Sequence, residues 1–116
     1  MRKINVTIWN EFIHEAAPDA AGEYIRRIYP EGIHSFLKQK LAADDLTIRT
    51  ATLNQPEQGL PDSVLKTTDV LLWWGHCAHD RVDDALVERI HQRVLDGMGV
   101  IVLHSGHLSK IFRRLM

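Results

Sequence analysis

Between Asp69 and His79 the chain reads Asp-Val-Leu-Leu-Trp-Trp-Gly-His-Cys-Ala-His. An unbroken apolar and aromatic run of this kind belongs in a strand buried on both faces, as in a parallel sheet. The run stops at Gly75, with His76 and His79 just past it. A second stretch, Gly99 to His107 (Gly-Val-Ile-Val-Leu-His-Ser-Gly-His), repeats the plan: a short apolar run, then His104 and His107 with a glycine between them. In open α/β sheets, ligands bind in the crevice beyond the carboxyl ends of the strands, so chemistry is expected where these two runs end.

The rest of the chain supplies the sheet around them. Lys3 to Trp9 is β-branched and alternating, which predicts a first strand, with Asn10, Glu11 and His14 after it. Leu46 to Leu53 alternates with polar residues that the other strands lack, as suits a sheet edge. From Ala16 to Pro30 the pattern predicts an elaborated loop with a helical turn or two, capped by Asp19 and weakened by Gly22. Pro30 is placed to open the next helix, whose buried face would carry Ile33, Phe36, Leu37 and Leu41, ending near Ala43. Asn54 to Gly59 is turn-like, and Leu60 to Lys66 reads as a short helix. Asp80 would cap a helix with Val82, Leu86, Val87, Ile90 and Val94 inward and Gly97 as its left-handed stop. Leu108, Ile111, Phe112 and Leu115 begin a last amphipathic helix.

Strands alternating with helices through short connections predict an α/β three-layer sandwich on a parallel sheet of four strands, in the order 2-1-3-4. The length of 116 residues allows one domain, 1–116, with one core. The fourth strand is too apolar to lie bare at an edge, so the fold is expected to be incomplete, its open side covered by further strands or by another copy in a homo-oligomer.

Composition excludes several classes. The formal net charge is -1 and basic residues cluster no further than pairs such as Arg26-Arg27, which leaves no footprint for nucleic acid or an anionic membrane. Cys77 is the sole cysteine and cannot form an internal disulfide. The start of the chain carries no run long enough for a signal peptide or membrane span, which points to a cytoplasmic protein. No phosphate-binding glycine motif occurs, so no nucleotide cofactor is expected.

Within the site, His76, His104 and His107 are the candidate catalytic residues, since imidazole titrates near neutrality and ligates metals. His14, His76, His79 and His107 are the candidate ligands of a divalent metal such as zinc, with Glu11 as an alternative to His14 from the first strand end. The competing reading for each histidine is a helix cap, a hydrogen bond to a backbone group or a solvent-facing ring. Trp9, Asn10, Glu11, Trp74 and Ser105 are the candidate substrate contacts. Ser105 lies in a strand-to-helix turn but lacks the first glycine of a nucleophile elbow, so it reads as a capping or substrate-contacting serine. Cys77 reads as packing or as a reactive thiol. His34 and His91 read as structural.

Val-Thr-Ile-Trp-Asn-Glu near the start, Tyr29-Pro30-Glu31-Gly32-Ile33-His34, Leu72-Trp73-Trp74-Gly75-His76 with His79, and Val102-Leu103-His104-Ser105-Gly106-His107 together resemble the ThuA family of bacterial trehalose-utilisation proteins. The resemblance implies a flavodoxin-like fold of the class I glutamine amidotransferase type. It implies a role in catabolism of trehalose or related disaccharides, acting on a sugar or keto-sugar alongside an oxidoreductase. Amidotransferases carry a cysteine where Ser105 stands here, so glutaminase activity is not expected. Members of the family run to roughly double this length, so the chain resembles their amino-terminal portion. The alternatives are a non-catalytic binding or assembly module on the same shell, or a truncated remnant inactive alone.

Overall fold

A computed structural model describes residues 2–116. Strand β1 (Ile4–Asn10) is followed by helices α1 (Ile13–Ala16), α2 (Ala20–Ile28) and α3 (Ile33–Leu41), then strand β2 (Leu46–Thr52) and helix α4 (Asp62–Leu65). Strand β3 (Val70–Trp74), helix α5 (Asp84–Leu95), strand β4 (Gly99–Val102) and helix α6 (Lys110–Leu115) complete the chain. The four strands form one all-parallel sheet in the order β2-β1-β3-β4, as the sequence pattern predicts, and the architecture is consistent with a flavodoxin-like fold.

Strand parity divides the core into two layers. On one face Trp9, Leu71 and Trp73 pack with Leu65 of α4, Leu86, Val87 and Ile90 of α5 and Ile111 of α6. Trp9 and Trp73 are register partners and stack with ring centroids 3.8 Å apart and planes 9° apart. On the other face Val6, Ile8 and Leu72 pack with Leu37 of α3. That second layer is thin. Helix α3 packs mainly on β1 and β2, and Ile101 of β4, opposite Leu72 in the register, stays 52% exposed.

Several local expectations need correction. Asp80 does not cap α5, because His79–Arg81 form a single 3-10 turn and Val82 is buried in extended conformation before the helix begins at Asp84. Phe36 and Leu41 lie exposed, because α3 turns His34 inward in their place. That helix is entered through Gly32 at φ +96°, a left-handed position suited to glycine, rather than opened by Pro30. Residues 20–28 form a full helix, with Asp19 accepting the N–H of Gly22 at 2.9 Å. Leu108 belongs to a 3-10 turn, His104–Leu108, and is exposed, while Ser109 caps α6. Gly97 takes the left-handed stop as expected, at φ +113°. Among the described residues, no helix is long and apolar enough to cross a membrane.

Candidate functional site at the carboxyl ends of β1 and β3

The polar residues after β1 turn inward. Asn10, wholly buried, takes the N–H of Phe12 on Oδ1 at 3.0 Å, which fixes its amide orientation and steadies a backbone that turns left-handed at Phe12, φ +59°. Its Nδ2 then donates to Glu15 Oε2 at 2.6 Å and lies 3.0 Å from His34 Nδ1. Glu15 Oε2 also accepts the N–H of Ile33 at 3.0 Å, binding α1 to the start of α3.

Glu11 reaches the other way. Its own N–H donates to Trp74 O at 3.2 Å, prolonging the β1–β3 ladder by one residue. Its carboxylate, 1% exposed, accepts the N–H of Cys77 at 3.0 Å on Oε1 and that of Ala78 at 2.9 Å on Oε2. The Cys77 thiol lies 3.5 Å from Oε1. Burial pushes the Glu11 carboxyl up, but the converging backbone N–H groups of Cys77, His76 and Ala78 outweigh it and hold the group below its ordinary value. Consecutive N–H groups around an anion form a nest, so the loop after β3 is clamped on a carboxylate from β1.

That clamp presents His76 to α1. His14 Nε2 and His76 Nδ1 stand 2.8 Å apart, one donating to the other, although 62 residues separate them in sequence. Trp74 lies half-buried alongside, its ring 5.8 Å from that of His14 and 6.4 Å from that of His76. Cys77 is exposed at the same place. Burial, the negative charge of Glu11 and the S–H bond to it raise the thiol above its ordinary range, leaving it protonated when unligated.

The predicted residues thus separate into four sets. His14, His76 and Trp74 come together. His104 and His107 stand on the neighbouring strand end, exposed, with ring centroids 6.0 Å apart, and His107 Nδ1 bonds the His104 carbonyl at 3.1 Å. Trp9 and Asn10 are core, 1% and 0% exposed, and with Glu11 they hold the framework instead of facing a substrate. His79 packs towards Gly75 and Glu11 with its Nε2 buried and unpartnered, and Ser105 Oγ is likewise buried and unpartnered.

Among the described residues, ligating atoms of three residues, His14, His76 and Cys77, all fall within 4.8 Å of one another. His79 and His107 lie outside that group, and Cys77, which sequence reasoning weighed mainly as packing, lies inside it. Its only local signal is its position next to His76, just past a buried strand.

Comparison with known families adds one finding. No curated protein matches the sequence. A family model described as ThuA, Trehalose utilisation, matches residues 5–116, nearly the whole chain and every element of the sheet and site above. The chain belongs to the ThuA family and is a trehalose utilisation-related protein.

Proposed function

We propose that the chain acts on a sugar or keto-sugar during breakdown of trehalose or a related disaccharide, with the His14–His76 pair as its reacting centre. The observation that carries this reading is the 2.8 Å contact between two imidazoles from distant parts of the chain, beside the half-buried Trp74. An aromatic face next to polar groups is a platform for the apolar face of a sugar ring. The two imidazoles also suit a divalent ion such as zinc, which when bound would supply Lewis acidity towards a carbonyl oxygen.

Proton transfer falls to His104 and His107. His107 Nδ1 is engaged by a carbonyl, so it carries the proton there and leaves Nε2 as the lone-pair nitrogen. Strands β3 and β4 are hydrogen-bonded neighbours, about 4.8 Å apart, so both turns rim the same end of the sheet. A base on one turn and a polarising centre on the other is the arrangement that enolising or hydrolysing a keto-sugar requires.

Turnover of 3-keto-disaccharides by the purified chain and by His76→Ala tests the reading. The expected loss is about 100-fold or more for the variant. Equal turnover removes the pair from the mechanism, and sugar binding without any turnover replaces the enzyme with a binding module.

A further inference from the structure

We infer that Cys77 is a metal ligand: His14 Nε2, His76 Nδ1 and Cys77 Sγ together form a mononuclear site, two nitrogen donors and one sulfur, for a thiophilic divalent cation of the zinc class. The inference rests on the His14–His76 centre described above but not on its substrate. One ring nitrogen of each imidazole and Sγ lie within 4.8 Å of one another, and His14 Nε2 and His76 Nδ1 are the nitrogens that face each other at 2.8 Å. In a tetrahedral site, zinc–nitrogen bonds of about 2.0–2.1 Å and a zinc–sulfur bond of about 2.3 Å set donor separations of roughly 3.3 Å between nitrogens and roughly 3.6 Å between nitrogen and sulfur. The imidazoles, now 2.8 Å apart, have to part by roughly half an ångström, which side-chain torsions supply. The sulfur has to close on them by a similar rotation; it is exposed, and the rotation gives up its 3.5 Å contact with Glu11 Oε1.

Loading balances simply. Two nitrogen–metal bonds and one sulfur–metal bond form, and the thiol proton leaves to solvent. The proton shared between His14 and His76 moves to a ring nitrogen that faces away from the ion, so both imidazoles stay neutral. The loaded centre keeps one positive charge and a fourth position for water or a substrate oxygen.

The frame is already rigid. Glu11 holds the N–H groups of Cys77 and Ala78 at 3.0 and 2.9 Å, which fixes the backbone that bears two of the ligands. The same carboxylate stands 3.5 Å from Sγ and accepts the thiol proton before loading; once that proton has left, the positive charge of the cation offsets the repulsion between carboxylate and thiolate. Asn10 holds Phe12 at the entry to α1, which bears the third ligand. A thiolate in the set favours zinc or cobalt over magnesium, calcium or manganese, which prefer oxygen donors.

Cobalt(II) and zinc titrations of the metal-stripped chain test the site. Cobalt should bind at one equivalent with a sulfur-to-metal charge-transfer band in the near ultraviolet. Cys77→Ser, whose side chain is exposed and whose fold is checked by circular dichroism, should lose the band and bind zinc about 100-fold more weakly. His79→Ala should keep both band and affinity. A wild-type complex without the band, or zinc affinity unchanged in Cys77→Ser, overturns the site. Cobalt binding with the band but no sugar turnover supports the site and overturns the proposed function; turnover without cobalt binding does the reverse.

Discussion

Asn10 Nδ2 and His34 Nδ1 meet at 3.0 Å inside the protein, where only one protonation state of the histidine is compatible with the contact. The amide orientation is fixed because Asn10 Oδ1 accepts the Phe12 N–H, so Nδ2 faces His34 as a donor and Nδ1 has to be the lone-pair nitrogen. Burial pushes His34 below 6.5, and the nearby Glu15 carboxylate offsets part of that. An unfolded chain therefore takes up this proton before the folded one does. The stability it confers is present above about pH 6.5 and is lost as pH falls below that value. Urea unfolding at about pH 7.5 and about pH 5.5 should show the loss, bounded by about 1.4 kcal/mol per pH unit. His34→Asn, whose Oδ1 can take the place of Nδ1, should flatten the slope. An unchanged slope would assign it to other groups.

Glu11→Gln should destabilise the fold by about 2–3 kcal/mol, because hydrogen bonds to a buried anion are among the strongest and the new amide turns an N–H against N–H donors. The Cys77 and Ala78 amides are the groups left facing it. Since the folded carboxyl titrates below 4.5, its contribution in the wild type is present above that pH and is lost as pH falls through the lower folded value. Denaturant unfolding of the variant at neutral pH checks this. A difference within about 0.5 kcal/mol would mean that the nest does not depend on the charge.

Arg49→Lys should weaken the link between β2 and its neighbours. The guanidinium spans from Thr7 Oγ1, through Nε at 3.1 Å, to Val64 O at 2.7 Å, Thr67 Oγ1 at 2.6 Å and Thr68 Oγ1 at 3.1 Å through Nη2. One ammonium cannot occupy both ends of that fork. The buried Thr7–Thr68 pair, 2.7 Å apart, keeps its own bond but loses the bridge to β2. A cost of about 1–2 kcal/mol is expected in thermal or urea unfolding, and wild-type stability in the variant would show that the fork is ornamental.

Arg49 also shows what the sequence makes legible. The polar residues of Leu46 to Leu53 mark an edge strand correctly, yet one of them, Arg49, is engaged with β1 and the segment before β3. The buried run Val70–Trp74, the stop at Gly97 and the strand order follow from periodicity, which is local information. The roles of Asn10 and Glu11 do not. Polar residues after an apolar strand look alike whether a ligand or the protein satisfies them, and the partner of Glu11 lies 66 residues away at Cys77. The histidine spacing misleads for the same reason: His76 pairs with His14 across the sheet end, while His107 bonds the carbonyl of its own turn.

Gly22→Ala reverses the expectation that local propensity alone would give. A glycine inside a helix costs about 1 kcal/mol relative to alanine, so the substitution should stabilise α2 if nothing else touched it. Gly22 is buried, however, and a Cβ built on it falls onto the carbonyl oxygen and carbon of Ala17. That carbonyl cannot retreat cheaply, because it accepts Arg26 Nη1 at 2.6 Å from the same helix, while Gly22 itself donates to the Asp19 cap at 2.9 Å. Relief therefore has to come from moving α2 away from the segment after α1, which carries His14. Gly22→Ala should lower stability by about 1–3 kcal/mol despite its better helix propensity. It should also weaken cobalt binding at His14, whereas Ala21→Gly, at an exposed neighbour, should cost about 1 kcal/mol and leave cobalt affinity unchanged. A Gly22→Ala protein as stable as the wild type would mean that α2 has room to shift, and that His14 does not depend on this contact for its position.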